Sequence, residues 1–459
     1  LLLTGCSDTL MQSEQSASGE TTAQEKIIPG DKTRHFHLLD QATISRVGKN
    51  GNNQEAVNLI VAFSNESVEA QGIVDKFGIV DKFGIVDKFG IVDKFGIVDK
   101  FGIVDKFGIV DKFGIVDKFG SVLRGVFSES FNGIAVTVEK EKLEEFLAKI
   151  AESDQIAYVE PDIALSIDFS GVTDDRTRST QHTPWNVTAI GGEESSTVSG
   201  DGSGSVGADL YVLDTGVNAR DMNVASCVVL RNSALEQCEQ VDASDANGHG
   251  TAVAAIAAAQ DDMDDIVGVS PGVDVHSINV LGDDAQAESS EMLAVIEYLV
   301  EQKKENPGKP MVVNLSFGAD IGDTEYTALD EAIARSIKEY GITYVIAAGN
   351  GGVDVSTVMP AHVSEAITVG SYDRGGSFSS FSNYGPGVDI LAPGQSIATL
   401  DGDGAAVSVD GTSYAAPHVA GAAALVLEND PSLNAGQVVS RLIRKSAARV
   451  EGTPRGTTN

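Results

Sequence analysis

The chain has 459 residues, 42% of them hydrophobic, and 67 acidic against 32 basic side chains leave a formal charge of −35. This length suits two or three domains of ordinary size. So acidic a chain is a poor partner for nucleic acid or anionic lipid headgroups, whose phosphates attract Lys and Arg, and no internal segment is apolar enough to span a bilayer.

The first six residues, Leu1-Leu2-Leu3-Thr4-Gly5-Cys6, end an apolar run on a cysteine. They look like the tail of a signal peptide. Leu3-Thr4-Gly5-Cys6 resembles the bacterial lipobox, which implies lipidation at Cys6 and an exported precursor anchored in a bacterial envelope. A truncated ordinary signal peptide is the plainer alternative. Residues 7–56 are polar, rich in Ser, Gln, Glu and Thr, and are expected to form a flexible tether.

Pattern begins at residue 57. Strands are predicted over 57–63, 131–138 and 156–162. A helix is predicted over 141–151, with Leu143, Phe146, Leu147 and Ile150 on one face. Together they predict a small α+β domain spanning 57–165. Inside it Gly-Ile-Val-Asp-Lys-Phe recurs eight times without change over 72–119. A six-residue step turns a helix by about 240°, so apolar residues ring the helix instead of forming a stripe. A strand gives no cleaner face. The array is best explained as expansion of one copy in a segment that is later discarded, with a hexapeptide β-solenoid as the structural alternative.

Residues 166–182 are polar, carry Arg176 and Arg178, and read as a linker and cleavage region. From 183 to 459 short apolar strands alternate with helices. Strands are predicted at 208–213, 273–281, 311–316, 342–348 and 366–370, and helices from His249, at 290–304 and at 324–340. This alternation predicts an α/β, doubly wound parallel sheet, whose ligands sit beyond the carboxyl ends of the strands. The acidic block at 261–265 is expected to be a solvated loop, with calcium binding as the sharper alternative. Three cysteines allow one bridge, and Cys227 with Cys238 is the pair close enough in sequence to form it in an oxidising compartment. Spacing alone leaves that bridge open.

Three motifs bear on chemistry. Leu213-Asp214-Thr215-Gly216 ends a predicted buried strand on a carboxylate able to orient an imidazole. The triplet Asp-Thr-Gly also occurs in aspartic proteases, but a single-chain, two-lobed one needs two copies and only one is present. Asn247-Gly248-His249-Gly250-Thr251 opens an alanine-rich helix with a histidine between glycines. Zinc does not suit it, since no second His lies four residues on. Gly411-Thr412-Ser413-Tyr414-Ala415-Ala416-Pro417-His418 places Ser413 in the first turn of a helix. Free N–H groups and the helix dipole favour negative charge there.

The order Asp, His, Ser in these contexts resembles the subtilase family, and within it the proteinase K-like branch. The resemblance runs from about Trp185 to the C-terminus through Asn314-Leu315-Ser316-Phe317-Gly318, Ala347-Ala348-Gly349-Asn350, Ser380-Phe381-Ser382-Asn383-Tyr384-Gly385 and Ala392-Pro393-Gly394. It implies a serine endopeptidase with Ser413 as nucleophile, His249 as general acid/base, Asp214 orienting His249, and Asn350 as oxyanion donor. It also implies that Ser316, Phe317 and Gly318 form the edge that pairs with substrate backbone, bordered by Ala348 and Gly349. No cofactor is implied for the chemistry. A structural calcium ion is implied at Asp389, with the carbonyls of Ser364 and Ala366. Tyr414 stands where the family usually has Met, Ala416 where it has Thr, and Ala252 where it often has His. The segment 57–165, through Asn132-Gly133-Ile134-Ala135-Val136 and Val159-Glu160-Pro161-Asp162, resembles the subtilase inhibitor propeptide. The expected partners are protein or peptide substrates and the chain's own propeptide, acting within a monomer. An esterase using the same three residues, or a non-catalytic binding module on the same fold, are the competing functions.

Overall fold

The computed structural model describes residues 56–63, 80–81, 86–87, 90–91, 122–151, 156–167, 170–174 and 183–458, less short stretches within 196–205 and at 232–233, 239–244, 263–265, 323–325 and 446–448. Cys6, the tether and nearly all of the hexapeptide array lie outside the described residues.

The first unit comprises β1 (Ala56–Phe63), β2 (Val122–Phe127), β3 (Gly133–Glu139), α1 (Leu143–Ala151) and β4 (Ile156–Pro161). Its antiparallel strands lie in the order β2-β3-β1-β4. The sequence pattern names three of these strands and misses β2, where Arg124 and Gly125 interrupt the apolar run. The predicted strand from 131 begins instead at Gly133, where β3 packs so closely on β1 that a Cβ would fall 2.4 Å from the Val61 carbonyl. Side chains alternate across a strand. Val57, Leu59 and Val61 therefore face α1 and its Leu143, Phe146 and Ile150. Ile60 and Ala62 face the second unit, where they join its core beside Phe127, Phe131 and Tyr158.

Between the units run β5 (Ala164–Ser166) and β6 (Ser170–Asp174). The second unit holds β7 (Val206–Asp214), β8 (Val224–Arg231), β9 (Ala234–Gln237), α2 (His249–Ala258), β10 (Val273–Asn279), β11 (Gln286–Glu288), α3 (Ser289–Glu305), β12 (Met311–Leu315), α4 (Ala328–Tyr340) and β13 (Thr343–Ala347). It continues with β14 (Ile367–Tyr372), β15 (Ile390–Pro393), β16 (Ile397–Leu400), β17 (Ala406–Asp410), α5 (Thr412–Asn429) and α6 (Ala435–Lys445). The central sheet runs β9-β8-β10-β7-β12-β13-β14-β15 and is parallel except for β9. This is the doubly wound α/β architecture. Leu210 and Val212 pack with α2 and α5 on one face, and Tyr211 and Leu213 pack with α3 and α4 on the other. A strand covered on both faces carries a continuous apolar run, and Leu210 to Leu213 of β7 form one between Asp209 and Asp214.

Helix α4 starts at Ala328 and not at 324, because Thr327 and Asp330 form a reciprocal capping box. Two further expectations are corrected. Residues 170–174 are not simply linker: β6 pairs antiparallel with β17. Of the acidic block expected in a solvated loop, Asp262 is exposed but Asp261 is buried, while 263–265 lie outside the described residues. The hairpin register of β8 and β9 puts Cys227 opposite Cys238, and the two are joined by a disulfide with Cα atoms 5.4 Å apart.

The first unit grips the second by the ends of its helices. The Glu160 carboxylate accepts from the Ala328 N–H at 3.0 Å, at the start of α4. Asp162 accepts from the Ser290 N–H at 2.9 Å and from the Ser289 and Ser290 hydroxyls, at the start of α3. A carboxylate there satisfies orphan donors and meets the positive end of the helix dipole. Burial pushes the Glu160 carboxyl well above the usual range, and the Ala328 hydrogen bond opposes that. In the other direction Glu297 of α3 accepts from the N–H groups of Ser128, Glu129 and Ser130 at 2.7–2.8 Å.

Candidate active site

Three strands of the central sheet deliver chemistry at their carboxyl ends, as a doubly wound sheet favours. β7 ends on Asp214, β12 runs into Ser316, and β13 runs through Ala348 and Gly349 to Asn350.

Asp214 is fully buried. Its Oδ1 accepts from His249 Nδ1 at 2.8 Å and from the Thr215 N–H at 2.8 Å. An imidazole that donates from Nδ1 keeps Nε2 as its basic atom. His249 is the first residue of α2, and Gly250 lets that helix approach: a Cβ there would stand 2.0 Å from the Gly216 carbonyl. A residue absent from the sequence reading ties this corner together. Asp245 accepts from Thr215 Oγ1, Gly248 N–H and Thr251 N–H, each at 2.8 Å, and from Thr251 Oγ1. Its one carboxylate thus clamps the turn after Asp214 to the start of the His249 helix. The visible sequence signal is a lone Asp four residues before the histidine.

Ser413 is the second residue of α5 and is buried. Its hydroxyl donates to the Ser316 carbonyl at 3.0 Å. Helical geometry supplies no acceptor within the helix for the first-turn N–H groups, which is the environment an oxyanion needs. The Tyr414 ring lies 5.4 Å from the His249 ring at 49°, so the residue found in place of Met packs on the imidazole. Burial raises the Tyr414 hydroxyl pKa, with Asp214 and Asp410 adding to the effect.

Asn350 is held by its oxygen. Asn350 Oδ1 accepts from the Thr412 N–H and from Thr412 Oγ1, both at 2.8 Å. That turns the donor end of the amide away from Thr412, and Asn350 lines the same cavity as Ser413. Thr412, the residue just before the nucleophile candidate, is a second positioning residue the sequence reading did not single out. Substituting Asn350 with Ala is expected to lower kcat about 10²–10³-fold with little change in KM, the loss typical of one oxyanion donor. Steady-state kinetics on a chromogenic peptide checks it.

A cavity of about 220 Å³ opens beside Ser413, lined by Ser316, Phe317, Gly318, Ala347, Gly349 and Val353 among others. Ala348, expected at its border, is instead fully buried in the core. At the end of β13 successive side chains face opposite ways, so Ala348 joins the core while Ala347 lines the cavity, and Gly349, at φ +97°, lines it beyond the strand. The edge at Ser316–Gly318 is already occupied. Ser166 N–H donates to the Gly318 carbonyl at 3.0 Å, and Gly318 N–H to the Ser166 carbonyl at 3.1 Å. On its other side β5 pairs antiparallel with β11, a wall the sequence reading did not identify. The connecting chain thus lies as the middle strand of three, with Leu165 fully buried.

At the implied calcium position, Asp389 Oδ2 accepts from the Thr368 N–H at 2.8 Å. Burial pushes this carboxyl up to about 6, against that hydrogen bond. A carboxylate so poorly compensated is the donor a hard cation would satisfy. Among the described residues there is no cluster of three or more His, Cys, Asp or Glu that could hold a metal ion, so such a site would draw on one carboxylate and on the carbonyls of Ser364 and Ala366.

Comparison with known proteins gives the family. The Subtilase family profile matches residues 207–458. Alkaline serine exoprotease A of Vibrio alginolyticus is 31% identical over 343 residues, 73% of this chain and 59% of the relative. The extracellular serine proteinase of Thermus sp. (strain Rt41A) is 32% identical over 320 residues, covering 69% of this chain and 72% of the relative. Subtilisin-like protease 1 of Trichophyton verrucosum is 30% identical over 317 residues, 68% and 74% of the two chains. A solved structure of a cold adapted subtilisin-like serine proteinase shares 36% identity over 56% of this chain and 88% of that one, with a TM-score of 0.47. The chain belongs to the subtilase family of subtilisin-like serine proteases. It spans only 59% of the length of the Vibrio relative.

Proposed function

We propose that the protein is a serine endopeptidase, made as a zymogen that its own N-terminal domain inhibits and that it cleaves itself. The observation that carries this reading is the meeting of two things in one cleft. The Asp214–His249 pair and Ser413 stand at the carboxyl ends of the sheet, and residues 164–167 lie paired along the edge beside them.

In the reaction the Ser413 hydroxyl leaves the Ser316 carbonyl, gives its proton to His249 Nε2, and Oγ attacks the substrate carbonyl carbon. Asp214 stabilises the resulting imidazolium. The Asn350 amide and the Ser413 N–H receive the oxyanion. His249 then protonates the leaving amine, the C–N bond breaks, and water repeats the sequence to release the acid from Ser413.

Peptides suit the site better than simple esters, because Gly318 and β11 offer backbone hydrogen bonds to an extended chain on both sides. The domain over 57–165 reads as the inhibitor, supported by the Glu160, Asp162 and Glu297 contacts. The aligned spans of the relatives, 317 to 343 residues, are longer than the 207–458 match, so the similarity extends into the N-terminal segments. Export is supported by the Cys227–Cys238 disulfide, which persists in oxidising compartments, and by the name of the Thermus relative. Lipidation at Cys6 would then anchor only the precursor, and maturation would release the enzyme.

A fluorophosphonate probe tests the reading. The mature wild type should be labelled at Ser413 and should digest casein. Absence of both would sink it. Calcium at Asp389 makes a separate prediction: a chelator should lower the melting temperature of the mature enzyme, and Asp389→Asn should abolish that sensitivity.

A further inference from the structure

Helix α5 contains a proline, Pro417, four residues after Ser413. In a regular helix the N–H at that position donates to the carbonyl four residues earlier, which is the carbonyl of Ser413 itself. Proline has no N–H, so the helix leaves this carbonyl unserved. The missing donor is supplied from another element. Ser316 Oγ donates to the Ser413 carbonyl at 2.9 Å. In return Ser413 Oγ donates to the Ser316 carbonyl at 3.0 Å. The two serines therefore exchange hydrogen bonds, each hydroxyl to the other's backbone.

The direction of the Ser316 proton is set by a third residue. Asn314, on the central strand β12, donates from Nδ2 to Ser316 Oγ at 2.9 Å. An oxygen that accepts there has its own proton left for the Ser413 carbonyl. Asn314 and Ser316 are each 1% exposed and Ser413 is 4% exposed, so these groups meet their partners within the protein. A buried carbonyl deprived of its donor is costly, and it sits on the residue that carries the attacking oxygen.

We infer that the Ser316 hydroxyl is a positioning residue for Ser413: it replaces the backbone donor that Pro417 lacks and holds the Ser413 peptide in register with the substrate edge. This role is distinct from the pairing of the 316–318 backbone with substrate, which any side chain at 316 would leave in place. The inference rests on the reading of Ser413 as nucleophile. Fluorophosphonate labelling of wild type at Ser413 is therefore the first control, and its failure would count against that reading and not against this one.

The test is a double-mutant cycle on mature enzyme, with kcat expressed per labelled site. Ser316→Ala should lower kcat by roughly tenfold to a hundredfold, the scale on which small misplacements of a reacting group act, and leave KM within about twofold because the edge backbone remains. Ser316→Thr, which retains a hydroxyl, should recover most of kcat. Pro417→Ala restores a helical N–H to the Ser413 carbonyl, so Ser316→Ala should cost at least about fivefold less in that background, a non-additivity expected only of groups sharing one partner. Equal losses in the two backgrounds would overturn the inference. So would a loss carried by KM alone, or an Ala variant as active as wild type. If Ser316→Ala fails to mature in the native background, the Pro417→Ala background decides: it should mature and label there, and failure there too overturns the proposal.

Discussion

Ser413→Ala should leave the chain as an uncleaved precursor and lower turnover about 10⁶-fold, the size of the loss when subtilisin, a member of the same family, is stripped of this hydroxyl. The argument is structural. The hydroxyl lies at the first turn of α5, against the Ser316 carbonyl and beside the cavity. Residual activity over water would come from Asn350 and the first-turn N–H groups alone. The same variant tests self-cleavage. Ser166 is paired with Gly318 on one side of the site, and β6 begins at Ser170 on β17, the strand that leads into Ser413. N-terminal sequencing of wild type should therefore place the first cut between Ile167 and Ser170. An alanine variant that matures on its own would overturn self-processing, while maturation after addition of active wild type would support it.

Asp214→Asn should lower kcat about 10⁴-fold while the fold survives. Asp214 Oδ1 accepts two donors, His249 Nδ1 and the Thr215 N–H. An amide that turns its NH₂ toward Nδ1 forces the proton onto Nε2, where it blocks the atom that must take the Ser413 proton. The amide that turns the other way keeps the tautomer but no longer carries the charge that stabilises the imidazolium. Stability should change little, because the volume is unchanged and a buried charge is removed rather than stranded. A melting curve close to wild type alongside a loss of less than tenfold in kcat would argue that Asp214 is not the orienting carboxylate.

The site was readable wherever one short segment contains its own chemical logic. Asp214 at the end of an apolar run, His249 between glycines, and Ser413 at a helix start each announce a local geometry that chemistry needs, and the architecture of alternating strands and helices followed from hydrophobic period alone. The same logic explains the errors. Residue identity does not reveal which way each side chain turns at the end of β13, so the sequence cannot tell that Ala348 faces the core and not the cavity. α4 starts four residues later than its apolar pattern suggests, because the capping box at Thr327 and Asp330 outweighs the helix-compatible residues before it. β2 does not show in the apolar pattern, because Arg124 interrupts it to pair with Asp162 and Glu288, partners far along the chain.

The acidic excess makes the chain a poor partner for nucleic acid, and the order Asp, His, Ser resembles one protease family; both depend only on which residues are present and in what order. Which groups serve one another was a matter of tertiary structure. Asp245 clamping two segments, Thr412 holding Asn350, and Ser316 standing in for the donor missing at Pro417 all join residues that are separated along the chain. Hydrogen bonds act over about 3 Å in space whatever the sequence separation, so only the folded chain could decide them.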